Sequence, residues 1–437
     1  MTLTPPSQAS RRPGYATSAD SPLGRRGART RELIKTTAAE LFNASGFHGT
    51  SIDDIARSLG GSRATVYQYF ENKDQIYAEM LHDCQQAVVE QVRNLGPLGP
   101  GESGLSALRR WLHEWSDIYD AYAAVFLEFP AIGTIESVPI SDAAQLAAGV
   151  REVHQVLATK LEQAGVAGLD PLVASSVLTR TAHMVNLYRH RGMFDMPDRE
   201  TTTDTLAATL QRIFFPDNGS DIEISQRPDR TPRDSSAASL GRASLRTSPA
   251  REDVLTASSA LFAERGYHRV GMDVIAERAD VSRATLYRHF NNKARILAEL
   301  TDMAVEQTRR LADELQALAE EGLNLDRLHD WTVRFVVIHR QFHGVTRAWF
   351  DGAVIEELGD THIRRGITAL REAAESVVAQ LDLPDDVDAT VAAGIILAAL
   401  GRLTEPIDSA PTDPEFAAGL IVLILWRGLL RFARPSR

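Results

Sequence analysis

The chain has 437 residues, 44% of them hydrophobic and 24% charged, which excludes a wholly disordered protein and fits several packed domains. A single cysteine, Cys84, excludes an internal disulfide framework and points to a reducing cytoplasm. The net charge is −11, yet residues 1–81 and 225–300 together carry +6 and leave −17 elsewhere, so two basic stretches sit on an acidic body.

In chain order, residues 1–27 are rich in Pro, Ser, Gly and Arg without an apolar run, and read as a disordered basic arm rather than a signal peptide. Apolar residues then recur at spacings of three and four. This predicts helices near 29–44, 51–59, 62–69, 73–95, 105–129, 142–165, 170–191 and 200–214. Gly46, Gly60-Gly61, Pro97, Pro130, Pro171 and Pro197 fall at the joints. Residues 216–247, full of Pro, Ser, Arg and Asp, read as a flexible linker. The helical pattern then resumes and ends in a very apolar helix near 414–432. Its apolar run, Phe416 to Trp426, is too short to span a bilayer, so no membrane association is expected.

Shifted by 220 residues, the chain matches itself. Arg31–Leu81 aligns without a gap on Arg251–Thr301, with 21 of 51 positions identical, including Ser62-Arg63-Ala64-Thr65 on Ser282-Arg283-Ala284-Thr285. The register persists through Trp111, Trp115, Tyr119 and Tyr122, which fall on Trp331, Phe335, His339 and Phe342. A period this long marks a duplicated domain pair rather than a solenoid. The expected fold class is all-α, in two fused units. The expected boundaries are the arm (1–27), first three-helix domain (28–75), first helical body (76–215), linker (216–247), second three-helix domain (248–295) and second body (296–437).

Within each three-helix domain, two short helices flank a tight turn. Ser51 and Ser62 stand at helix starts, where a hydroxyl caps an orphan N–H. Gly60 suits a positive-φ turn, where the second copy has Asp280. Ile55, Val66 and Phe70 face inward, leaving Arg63, Ala64, Thr65, Gln68 and Tyr69 outward. A short helix with small and basic residues outward is the arrangement that enters a DNA major groove.

Gly46-Phe47, Thr50-Ser51, Asp54-Ile55-Ala56, Ser62-Arg63-Ala64-Thr65, Tyr67, Phe70 and Lys73 together resemble the DNA-binding domain of TetR-type bacterial regulators. The second copy, through Ser282-Arg283-Ala284-Thr285-Leu286-Tyr287-Arg288-His289-Phe290, resembles it more closely still. The resemblance implies double-stranded DNA as partner. It implies phosphate contacts for Tyr67, Tyr287, Lys73 and Lys293, and a DNA-facing Ser51. Arg63 and Arg283 could reach guanine edges, and Ala64, Thr65, Ala284 and Thr285 could approach thymine methyls. Gln68 against Arg288 and Tyr69 against His289 are where the copies differ, so unlike half-sites are expected. Arg25, Arg26 and Arg29, with Arg242, Arg246 and Arg251, read either as minor-groove arms or as solvated tails.

The aromatic stripes Trp111, Trp115, Tyr119, Tyr122 and Trp331, Phe335, His339, Phe342 each lie on one helical face. They read either as plain core or as the lining of a pocket for a small apolar or aromatic effector, which the resemblance implies. The wide apolar faces of the last two helices in each unit suggest that the units pair within the chain as a pseudo-dimer. The more apolar second pair could also join two chains. His339 and His343 have a usable metal spacing but no further ligands, and Gly99, Gly101 and Gly104 follow a helix rather than a strand. No metal, cofactor or catalytic constellation is expected, and the chain does not read as an enzyme. The expected function is a small-molecule-responsive repressor, cytoplasmic and nucleoid-associated when bound. The alternative is an architectural DNA-binding protein whose bodies only oligomerise.

Overall fold

The three- and four-residue apolar spacing folds into helices throughout the computed structural model, which describes residues 25–128, 143–217, 248–349, 360–407 and 410–434. Most of the expected arm and linker, with Arg242 and Arg246, lies outside the described residues. The first half contains α1 (Arg25–Gly49), α2 (Ile52–Ser58), α3 (Arg63–Tyr67), α4 (Lys73–Asn94), α5 (Glu102–Ala121), α6 (Ala123–Glu128), α7 (Ala143–Ala164), α8 (Pro171–His190) and α9 (Arg199–Phe214). The second contains α10 (Pro249–Arg265), α11 (Met272–Arg278), α12 (Arg283–His289), α13 (Lys293–Glu320), α14 (Leu325–Gln341), α15 (His343–Ala348), α16 (Asp360–Val378), α17 (Ala389–Arg402) and α18 (Pro414–Gly428). Among the described residues the fold is all-α, and no helix is long and apolar enough to cross a membrane.

Caps fix most starts. Asn72 accepts from Gln75 N at 2.8 Å to open α4, and Asn292 accepts from Arg295 N at 2.9 Å to open α13. Gly46 and Gly266, both with φ 73°, bend the chain at the end of the first helix of each half. Two boundaries differ from the sequence reading. The first helix begins at Arg25, so Arg25, Arg26 and Arg29 lie on its opening turns rather than in an arm, and Thr30 donates back to the Arg26 carbonyl at 3.0 Å. The predicted long helix at 105–129 breaks at Tyr122 (φ −117°, ψ 28°), and the equivalent stretch of the second half breaks at Phe342 (φ −104°, ψ 11°). The break turns α6 onto α1 and α15 onto α10, so each short helix ties a body to the first helix of its three-helix domain.

The two halves share one core. Helices α8 and α9 pack against α17 and α18, burying Val177, Leu178 and Val185 with Ile395, Ile396 and Ile421. Removing such side chains from water supplies roughly 1.5–3 kcal/mol each. Arginines lock the joint by reaching backbone carbonyls of the other half. Arg180 donates to Arg402 O and Glu405 O at 3.0 Å and to Pro406 O at 2.7 Å. Arg427, 2% exposed, donates to Ala167 O at 2.6 Å. The second three-helix domain has its own core, built from Val254, Leu261, Phe262, Ile275, Leu286 and Phe290 and continued by Phe342 and Trp349.

Candidate nucleic-acid interface and effector cavity

The turn between α2 and α3 is built from local hydrogen bonds. Ser51 Oγ accepts from Asp54 N at 3.2 Å, while Asp54 Oδ2 accepts from Ser51 N at 3.0 Å, a reciprocal cap. Ser51 Oγ also donates to that carboxylate at 2.5 Å, so the hydroxyl expected to face DNA is engaged in the cap. Gly60 (φ 64°) makes the turn, and Asp280 (φ 52°) makes it in the second copy. Ser62 accepts from Thr65 N at 3.3 Å and Ser282 from Thr285 N at 3.1 Å, opening the two outward helices. Val66 and Phe70, with Leu286 and Phe290, are buried beneath them. Gly271 offers no side-chain cap to α11, as its lack of a hydroxyl dictates.

What remains outward is only part of the expected set. Arg63, Ala64, Gln68, Arg283, Ala284 and Arg288 are exposed, as are Tyr67 (54%) and Tyr287 (49%). Thr65, Thr285 and Tyr69 are half-buried; so is His289, whose Nε2 is enclosed without a hydrogen-bond partner among the described residues. An open groove of about 450 Å³ brings Ser51, Arg63, Tyr67 and Lys73 together with His48 and Asp53.

Three features of this face are not evident from residue types. Arg63 pairs with Asp53, and Arg283 Nε pairs with Asp273 Oδ1 at 2.8 Å, so each candidate base-reading arginine is steered by a carboxylate one helix earlier. The only sequence signal was that Asp53 and Asp273 are identical in the two copies. The expected phosphate lysines also bond backbone carbonyls. Lys73 Nζ donates to Phe47 O at 2.6 Å and Thr50 O at 2.8 Å, and Lys293 Nζ to Tyr267 O at 2.7 Å. Each ammonium also lies over an aromatic ring, Phe47 at 4.4 Å and Tyr267 at 4.2 Å. Finally, Arg251 is no arm residue. It lies in α10, paired with Glu299 and 5.3 Å over the Phe290 ring, as Arg31 pairs with Glu79 over Phe70.

The family profile described as "Bacterial regulatory proteins, tetR family" matches the chain twice, at residues 34–80 and 254–300. The chain therefore carries two copies of the TetR-family DNA-binding domain, one in each half. Over 78 residues it is 38% identical to the HTH-type transcriptional activator FasR of Mycolicibacterium smegmatis, covering 18% of this chain and 35% of that one. Over 101 residues it is 29% identical to IcaR of Staphylococcus aureus, the negative transcriptional regulator of the biofilm operon icaADBC, covering 22% and 52%. The chain therefore spans about a third to a half of the length of these curated relatives. Among solved structures, the TetR family transcriptional regulator PfmR of Thermus thermophilus aligns with 41% of this chain and 96% of its own, at 21% identity and TM-score 0.33.

In the helical bodies the aromatic stripes have unequal fates. Trp111, Trp115 and Tyr119 are at most 1% exposed in the first body, and Tyr122 packs half-buried beside them. Trp111 stacks on Trp115 (5.6 Å), and Tyr119 on Phe126 (4.6 Å, 7° between planes). The indole nitrogens and the Tyr119 hydroxyl have no hydrogen-bond partner within the described protein. In the second body, Trp331 donates to Leu311 O at 3.0 Å, and Phe342 belongs to the core of the second three-helix domain. Phe335 and His339 instead line a cavity of about 130 Å³. Met184, Tyr188, Met193 and Phe194 of the first half wall it from across the joint, facing His343, Thr346 and Trp349.

The cavity has a polar floor. Arg402 Nη1 bonds Glu405 Oε1 at 2.6 Å, and His343 Nδ1 lies 3.6 Å from the same oxygen. Burial alone would raise the Glu405 carboxyl, but Arg402, with His343 and Arg180, outweighs it and holds it at about 2. Burial, with the neighbouring His343, pushes His339 down to about 3, so this ring is neutral. Its Nδ1 bonds Thr404 Oγ1 at 2.9 Å. Among the described residues no group of His, Cys, Asp and Glu could hold a metal ion. Cys84 is buried and its thiol pushed far up by desolvation, which suits a core residue rather than a redox sensor.

Proposed function

We propose that this protein is a DNA-binding transcriptional repressor in which one chain supplies both halves of the usual two-fold reader. The observation that supports the reading is the packing of α8–α9 against α17–α18, the contact expected if the two units pair within one chain. Two recognition helices, presented about 34 Å apart, enter successive major grooves on one side of a duplex. Because Gln68 faces outward in one copy and Arg288 in the other, the preferred site is an imperfect palindrome, adenine-biased on one side and guanine-biased on the other.

The cavity favours an effector-responsive regulator over a purely architectural one. Its walls come from both halves, and α15, which carries Thr346, packs on α10, the first helix of the second reading domain. A ligand that binds better when the halves are set at the wrong separation releases DNA. Hundredfold release needs about 2.7 kcal/mol of differential binding. Selection of bound duplexes from a random pool by the full chain, followed by the mass of the complex, tests the reading. An asymmetric site holding one chain is expected. A perfectly symmetric palindrome holding two chains would overturn it.

A further inference from the structure

The duplication lets the two bodies be compared position by position. Helices α6 and α15 correspond at an offset of 220, as do Tyr119 with His339 and Phe126 with Thr346. In the first body the aromatic ladder closes on itself, because the Phe126 ring lies nearly parallel on Tyr119. In the second, Trp331 stacks on Phe335 (5.3 Å) and Phe335 on His339 (5.7 Å), but beyond His339 there is only a tilted contact with the His343 ring (6.2 Å, 57°) and no parallel partner among the described residues. The residue that would supply the next ring is Thr346, and both His339 and Thr346 line the cavity. At about 130 Å³ the space is small beside drug-sized pockets of roughly 300–1,000 Å³.

We propose that this cavity binds a single planar aromatic ring bearing a hydroxyl, a phenol-class ligand, seated where the Phe126 ring sits in the first body. The proposal rests on the effector-responsive reading above. Shape selects the ring: the His339 imidazole offers a flat face continuous with Phe335, while Met184, Tyr188 and Phe194 close the sides from the other half. The polar group follows from the floor. The Glu405 carboxylate beside His343 Nδ1 favours the proton on that nitrogen, which leaves Nε2 an acceptor. A ligand that brings an O–H donor satisfies it. A carboxylate would bring another acceptor next to Glu405.

The test uses the full chain and four probes: phenol, benzene, cyclohexanol and benzoate. Thermal denaturation and calorimetry are expected to show saturable stabilisation by phenol, weaker effects of benzene and cyclohexanol, and none of benzoate. Thr346→Phe supplies the missing ring from the chain itself, and should melt no lower than the wild type while losing the phenol response. Thr346→Leu fills the same space with a smaller, non-planar group and should also lose it. A phenol response that is absent in the wild type, or that survives both substitutions, overturns the proposal. If phenol binds as described but leaves DNA affinity unchanged, the site stands and the effector-responsive reading falls. If a non-aromatic compound releases DNA while phenol does not bind, that reading stands and this assignment falls.

Discussion

The imidazole rings of His48 and His268, equivalent residues of the two halves, lie face to face with centroids 4.1 Å apart and planes 27° from parallel. Both side chains belong to exposed residues just before the second helix of each three-helix domain, so the two domains touch through equivalent residues. Aromatic pairs of this kind contribute about 0.5–1.5 kcal/mol. A double-mutant cycle with His48→Ala and His268→Ala, read as affinity for the selected DNA site, should show coupling of that size, about 2- to 10-fold. Additive single effects would mean that the stack does not set the arrangement that DNA sees.

The paired arginines give a sharper prediction about specificity. Arg283→Ala should cost about 1–3 kcal/mol on the selected site and much less on random duplex. Asp273→Asn should act differently. It frees Arg283 from its carboxylate and removes a negative charge beside the DNA face, so binding to random DNA rises and the ratio of specific to random affinity falls. Competition titrations at fixed salt measure both, and an unchanged ratio for Asp273→Asn would show that the ion pair does not orient the arginine.

Lys73 is expected to matter before any DNA is added. Its ammonium holds the Phe47 and Thr50 carbonyls, closing the connection between α1 and α2. Lys73→Met should lower unfolding stability by about 1–3 kcal/mol, because two acceptors lose a charged donor. Chemical denaturation of the free protein tests this. An identical midpoint for wild type and variant would assign the lysine to phosphate contact alone.

Stability should fall as the solution is acidified below about pH 6.5. His339 binds its proton near pH 3 in the fold but near its ordinary value of 6.5 when unfolded, so between these limits the unfolded chain takes up the extra proton. His343 is shifted in the same direction by burial. Each such proton contributes a slope of up to about 1.4 kcal/mol per pH unit. Glu405, depressed to about 2, adds a further loss as pH drops below its unfolded value of 4.5. Melting temperature against pH for wild type and His339→Gln is the measurement, and the variant should show the shallower slope between pH 6.5 and 5.

Arg427 ties the halves from a fully enclosed position. Arg427→Met should cost about 2–4 kcal/mol, since the Ala167 and Ile213 carbonyls lose their donor inside the core. The pair of half-buried Arg212 with exposed Asp386, which also crosses the joint at 2.6 Å, is open to solvent on the carboxylate side and should contribute about 1 kcal/mol. Equal melting temperatures for Arg427→Met and Arg212→Ala would contradict this ranking.

Much of the reading surface was legible in the residues. Ser62 and Ser282 announce their helices, Val66 and Phe70 declare the buried side, and Arg63, Gln68 and Arg288 are outward by subtraction. The fate of Lys73 was not legible, because a cation near a helix start looks the same whether it faces a phosphate or a carbonyl twenty residues away. Nor could spacing separate Phe335, which lines the cavity, from Trp115, which is packed solid at the equivalent position.

The amino-acid order by itself determined the helices, their caps and turns, and the doubling of the unit, because these depend on periodicity and hydrogen bonds spanning a few residues. Only the tertiary structure decided that Arg180 would grip the end of α17, that His48 would meet His268, and that Phe126 would cover Tyr119 in one body while His339 lines a cavity in the other. Each of these is settled by surfaces brought together from some two hundred residues apart, where one threonine in place of a phenylalanine leaves a space that no local pattern records.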